Sequence, residues 1–391
     1  MKTFVKFCLT LLSGGLLALT SYAATAENGP GISDEEILIC SYQPMTGKVS
    51  SYFRMGKGAD AWFNHVNETG GIHGRMVHFR MVDDKYEPAR TKTAVKRFIE
   101  RDKCFAIVSP LGSAPTSAVI DYIADMKVPL IGAGTGAAKN LEHPSKYVFP
   151  LYPSYFTEGQ ELVKFAKNVY GAKTVALLYQ NDPSGQTHIM GIESVLDQYG
   201  VELVKKEGYE QKDIDVSSQA VAMKNANPDA VLCSCAPEPA ARFYTERKKL
   251  GWDVPVVNVF FGKSPKVAEL AGADAIEGIH FATIFRDFDS PAPQIQQAKE
   301  LLAKYYPEET PGAVHLWGFA GAQVFTEAMR RMGRDNITRD RLVETLEGIQ
   351  NWTESVVPSI SIGHGGAPEH FIVKDMSWVV FTNGAFQDFT P

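Results

Sequence analysis

Beyond its first 26 residues this chain has no apolar run long enough to cross a bilayer, and nowhere does it carry a Lys- or Arg-rich block. Its 39 basic residues are outnumbered by 45 acidic ones, for a formal charge of −6. Nucleic-acid affinity rests on neutralising phosphates, so nucleic acid is not an expected partner. Several chemical anchors are also missing. There is no G-x-S-x-G, no P-loop, no H-E-x-x-H and no C-x-x-C, which removes the usual signatures of hydrolase, NTPase, zinc and thioredoxin-like chemistry. Gly132-Ala133-Gly134-Thr135-Gly136-Ala137 fits the loose dinucleotide pattern G-x-G-x-x-A. It follows a fourth strand rather than a first, and no acidic residue ends the next strand, so NAD is not expected. His65, His73 and His78 fall across a helix, a turn and a strand, and His364 and His370 lie in and just after a Gly-rich turn; all five read as surface or structural. No cofactor, metal or catalytic residue is expected.

Cysteine is scarce as well, five in all. Cys8 lies in the leader, ahead of most of its apolar core, so it is not placed as a lipoprotein cysteine. Cys233 and Cys235 fall in one expected strand, where a direct bridge would be strained. Cys40 ends one expected strand and Cys104 begins another. All four mature cysteines are read as buried free thiols.

What is present starts with an export signal. Lys2 and Lys6 precede a short apolar stretch from Phe7 to Tyr22, and Ala24-Thr25-Ala26 supplies a small-x-small cleavage site. Residues 1–26 are therefore expected to be removed, with cleavage after Ala23 as the alternative. At 45% hydrophobic, the remainder can bury about two domains' worth of core.

The chain is organised around Cys104 to Val119, CFAIVSPLGSAPTSAV. Phe105 to Val108 reads as a strand buried on both faces of a parallel sheet. Ser109 to Ser113 breaks it, and Ala114 to Met126 has the apolar spacing of a helix. Gly112 and Ser113 thus sit where a strand gives way to a helix, a place that suits an anion. Val128 to Ile131 followed by Gly132 to Gly136 repeats the device. Two hydroxyl-bearing turns at neighbouring strand ends make a site for a carboxylate, although glycine and serine are also ordinary turn residues.

Earlier in the chain come a strand at Glu36–Cys40, a helix at Tyr52–Thr69, a strand at Val77–Val82 and a helix at Glu87–Arg101. The β-α-β-α order is that of a doubly wound parallel sheet. Phe149-Pro150-Leu151-Tyr152-Pro153 interrupts it as a crossing between domains. A second series follows, with strands at Thr174–Tyr179, Val201–Glu207, Ala230–Cys235, Val254–Phe261 and Ile279–Ile284. Helices dominate from Gln294 to Ile349, and the tail from Ser359 is β-like.

This order resembles the type I periplasmic binding proteins of ABC transporters, in particular the leucine/isoleucine/valine-binding branch. The resemblance is carried by EILICSYQPMTG, NETGGIHGRMVHFRMVDDKYEP, FAIVSPLGS, VPLIGAGTG, TVALLYQND and WGFAGAQVFTEAM. It implies an α/β fold of two lobes, each a doubly wound parallel sheet, joined by a hinge of three crossings. Residues 27–150 and 280–368 would form the first lobe, and 151–279 and 369–391 the second. It further implies a periplasmic, monomeric, non-enzymatic receptor that holds a small carboxylate in the cleft and meets a membrane permease.

In such proteins the first lobe grips the carboxylate through turns matching Leu111, Gly112 and Ser113 and Gly134, Thr135 and Gly136 here, with Ser113 and Thr135 as hydroxyl donors. Tyr42 and Tyr52 would wall the pocket. The second lobe would bring Ser184, Ala236, Glu238 and Phe261, and the long helix of the third section Phe319, with Trp317 a lesser candidate. For each aromatic, plain packing is the competing role. The amino-acid binders of the family commonly show a Tyr-Gly pair where Pro183-Ser184-Gly185 stands here. Lys263 occupies a loop where an acid would help hold an α-ammonium, and Glu238 is the substitute or simply the start of a solvated helix. An aromatic or other organic acid therefore competes with a branched-chain amino acid as ligand. An exported α/β enzyme acting on a small acid is the rival of another class.

Overall fold

The structure is a computed structural model that describes residues 28–47, 49–141, 145–212, 215–285, 288, 290–366 and 369–391. The leader at 1–26 and Cys8 lie outside the described residues.

Two sheets carry the fold. The first has strands β1 (Glu36–Gln43), β2 (Met76–Asp83), β3 (Ile107–Val108), β4 (Leu130–Ala133) and β5 (Val148–Pro150), all parallel, in the order β2-β1-β3-β4-β5. The second has β6 (Thr174–Gln180), β7 (Glu202–Tyr209), β8 (Ala230–Ser234), β9 (Val256–Asn258), β10 (His280–Thr283), β11 (Ser377–Thr382) and β12 (Ala385–Phe389). Its order is β12-β11-β10-β9-β8-β6-β7, parallel from β6 to β10 and closed by an antiparallel hairpin. The central strands β3, β4 and β8 are buried throughout, which is why they read as unbroken apolar runs. Among the described residues no helix is long and apolar enough to cross a membrane.

The long helix Ala313–Met332 belongs to the first lobe, packed on the helix Arg54–Glu68. Small residues let their backbones touch. A Cβ added to Gly318 would run into the Met55 carbonyl, and one on Gly58 into that of His315.

Some expectations shift. β10 pairs with β9 and β11, so residues 280–283 lie with the second lobe and not the first. The expected helix over 114–126 is two pieces, Ser113–Ser117 and Ile120–Asp125, broken at Val119 (φ −126°, ψ −11°). The expected strand over 254–261 ends at Asn258, and Phe260–Gly262 is a tight 3₁₀ turn.

The cysteine reading is overturned. Cys40 is bonded to Cys104 and Cys233 to Cys235. Pairing of Cys40 with Ile107 sets β1 beside β3, which brings Cys104 within 5.9 Å (Cα–Cα) of Cys40. Cys235 lies beyond the last residue of β8, where the chain leaves the pleat, so its side chain is free to turn back.

Two crossings run side by side. The Ile372 amide donates to the Pro150 carbonyl at 3.0 Å, and that of Val373 to Leu151 at 3.1 Å. His370, fully buried, stacks on Phe149 and places Nδ1 3.0 Å from the Val148 carbonyl, a structural role as expected.

Candidate functional site

The turn after β3 is the core of the site. Gly112 has φ +119°, which glycine alone adopts freely, and a Cβ there would clash with the Tyr86 ring. The helix it starts has only five residues, so its dipole is weak. Hydroxyl groups supply the polarity instead. Ser113 Oγ lies 2.9 Å from Thr135 Oγ1, and the Ser113 amide donates to Tyr86 Oη at 3.3 Å. The two turns are joined by a bridge between Leu111 and Gly134.

The second lobe answers from the opposite side. Asp182 caps the helix Pro183–Glu193, accepting from the Ser184 and Gly185 amides, with Pro183 at the first helical position. Asp182 Oδ2 also accepts from Gln180 Nε2 at 2.6 Å and, across the cleft, from Tyr86 Oη at 3.4 Å. Both oxygens of Asp182 are thereby occupied. Behind this loop, Glu158 Oε1 accepts from the Phe260 amide at 2.8 Å, and Oε2 lies 2.9 Å from His188 Nε2. His188 Nδ1 is 2.9 Å from both the Ser184 carbonyl and Ser234 Oγ. Ser234, His188 and Glu158 look like a serine–histidine–acid set, but Ser234 and His188 are fully buried and Glu158 is 1% exposed. The set fastens three elements of the second lobe behind the cleft and presents no nucleophile to solvent.

Between the lobes lies a cavity walled by Val49, Tyr52, Tyr86, Leu111, Gly112, Ser113, Gly134, Tyr152, Tyr155, Gln180, Ser184, Ala236, Phe261 and Trp317. It leaves about 40 Å³ for the centres of water-sized molecules. Tyr52 Oη donates across the cleft to the Phe261 carbonyl at 3.1 Å, so the lobes stand closed. The rings interlock. Tyr52 stacks on Trp317 at 6.0 Å, Tyr152 meets Trp317 edge-on at 5.1 Å, and Tyr155 meets Phe261 edge-on at 5.6 Å. Burial raises the phenols of Tyr52, Tyr86, Tyr152 and Tyr155 far above their ordinary range, so all four remain protonated donors. Among the described residues no charged side chain lines the cavity.

Eight expected residues gather here: Tyr52, Leu111, Gly112, Ser113, Gly134, Ser184, Ala236 and Phe261. Five do not line it. Tyr42 is fully buried and bonds Thr116 Oγ1 at 2.8 Å. Thr135 stands behind Ser113, and Gly136 accepts from the Tyr155 amide at the crossing. Glu238 sits beside Tyr52 and Tyr209 without entering the lining. Phe319 is fully buried in the first lobe, and Trp317 takes its place. Sequence reasoning missed Val49, Tyr86, Tyr152, Tyr155 and Gln180. The Asp-Pro step at 182–183 was a readable helix start and would have drawn Gln180 towards the site.

Two facing α/β lobes with a small cavity at the strand ends of both define a hinged solute-binding protein. The periplasmic binding protein family profile matches residues 36–384, and the chain belongs to that family. It is similar to an amino acid binding protein of Pseudomonas aeruginosa, 22% identical over 59% of this chain and 59% of that one. The match thus spans less than two thirds of that relative. A leucine-, isoleucine-, valine-, threonine-, and alanine-binding protein of the same organism is 23% identical over 65% of this chain and 68% of its own. Among solved structures, a substrate-binding periplasmic protein from Ralstonia solanacearum superposes with a TM-score of 0.82 at 23% identity, covering 90% of this chain and 100% of that one.

Proposed function

We propose that this chain is the exported substrate-binding component of an ABC transporter. It captures a small carboxylate between its lobes and presents the closed form to a membrane permease, without chemical turnover. The observation that carries the reading is the meeting of the Leu111–Ser113 turn and Gly134 of one lobe with Ser184, Ala236 and Phe261 of the other around one cavity. Hydroxyls facing a buried space can satisfy an anion that brings no counter-charge of its own. The export signal at 1–26 and the family's periplasmic setting support the location.

Small-angle scattering of the mature protein, with and without a bound carboxylate, tests the hinge. Compaction on binding is expected, together with recovery of the unaltered ligand by mass spectrometry. A bound form no more compact than the free one, or a ligand converted to product, overturns the reading.

A further inference from the structure

Two buried oxygens at the cleft have no hydrogen-bond partner among the described residues, Tyr152 Oη and Glu238 Oε2. They differ in position. Tyr152 is 1% exposed and lines the cavity. Its hydroxyl points at the carboxylate turn, since a Cβ built on Gly134 would lie 3.0 Å from it. A phenol kept protonated by burial is a donor, and a buried donor calls for an acceptor. Glu238 stays outside the lining.

The other acids near the cleft are committed. Asp182 accepts on both oxygens from Ser184, Gly185, Gln180 and Tyr86, and Glu158 is held by Phe260 and His188. An α-ammonium entering this cavity would shed its water and meet hydroxyls, an amide and rings, with no carboxylate among the lining residues. Burying a cation on those terms is unfavourable. An acid without that group meets donors at one end, and its apolar body lies among Tyr52, Phe261 and Trp317.

We infer that the cleft selects carboxylates lacking an α-ammonium group, and that Tyr152 Oη, donating to the carboxylate beside Ser113, sets this preference. The inference rests on the carboxylate reading above. It separates this chain from relatives whose names state amino-acid binding.

The test is isothermal titration of the mature protein with matched pairs, phenylalanine against 3-phenylpropanoate and leucine against 4-methylpentanoate, with glycine betaine as a ring-compatible cation. In at least one pair the amine-free acid should bind roughly tenfold tighter or more, and Tyr152→Phe should weaken that acid by roughly tenfold or more. The pair comparison needs no variant, so a misfolded Tyr152→Phe does not shield the claim. An amino acid that outbinds its acid and is lost in Glu238→Gln overturns the inference while sparing the carboxylate reading. So does an acid unaffected by Tyr152→Phe in a folded variant. Heat from betaine alone, a carboxylate with a cationic α-nitrogen, overturns the inference and spares the carboxylate reading, whereas heat from no compound in the panel overturns both.

Discussion

The phenol of Tyr52, in the first lobe, donates to the backbone carbonyl of Phe261, in the second, over 3.1 Å. Both residues line the cavity, so the bond forms only when the cleft is shut. Tyr52→Phe keeps the ring against Trp317 and removes the bond. A net hydrogen bond is worth about 0.5–1.5 kcal/mol, so the closed state should lose about that much. Scattering of the ligand-free variant should give a larger radius of gyration than the parent; equal radii would mean that the bond does not hold the lobes together.

Ser113→Ala should weaken carboxylate binding by about 1–3 kcal/mol, because a buried anion loses a donor. Thr135, 2.9 Å from Ser113 Oγ, also loses its neighbour, so Thr135→Val should act in the same direction through Ser113. Calorimetric titration of each variant checks both. Affinity unchanged in Ser113→Ala removes that hydroxyl from the grip.

The eight residues that were both expected and found at the cavity share one property: they sit at strand ends or helix starts, which glycine, proline and apolar runs announce in sequence. The residues missed depend on convergence in space. Tyr152 is visible in sequence only as part of a crossing between prolines, Tyr155 opens the helix just after it, and nothing in a linear reading says that a crossing also walls a pocket. Tyr86 follows β2 with φ +62°, a left-handed turn that its sequence does not signal. Trp317 and Phe319 are two apart on a helix, about 200° around it, so only one can face the cleft, and periodicity alone does not say which. The free-thiol reading failed for a related reason, since Cys40 and Cys104 become neighbours only once β1 is known to lie beside β3.

The two disulfides should contribute unequally. Cys40 and Cys104 close a loop with a sequence separation of 64, Cys233 and Cys235 one of 2. In the chain-entropy account the longer loop stabilises by roughly 4 kcal/mol and the shorter by well under half of that. Urea unfolding of the paired variants Cys40→Ala/Cys104→Ala and Cys233→Ala/Cys235→Ala should show the first as the more damaged. The reverse ranking would mean that local packing around β8 outweighs chain entropy.

Asp84 adds a pH dependence next to the site. It is fully buried, accepts from the Tyr86 amide at 2.9 Å and Thr91 Oγ1 at 2.8 Å, and burial pushes its carboxyl up to about 6. The folded state therefore holds this proton more tightly than the unfolded chain does. The stabilisation is complete below about pH 4 and lost as pH rises towards 6, a change of at most about 3 kcal/mol. Asp84→Asn does not titrate, so its melting temperature relative to the parent should climb between pH 4 and 6. A difference that stays flat would show that Asp84 ionises in the fold without cost.

The paired crossings at Pro150–Leu151 and Ile372–Val373 have a mechanical meaning. Hydrogen-bonded edge to edge, they form a two-stranded strap rather than separate strings. A strap flexes across its thin dimension and resists being sheared along its plane. Lobes that open as proposed would swing like the boards of a book about its spine rather than slide past one another. Each opening of the proposed kind would return the same turns to the same register.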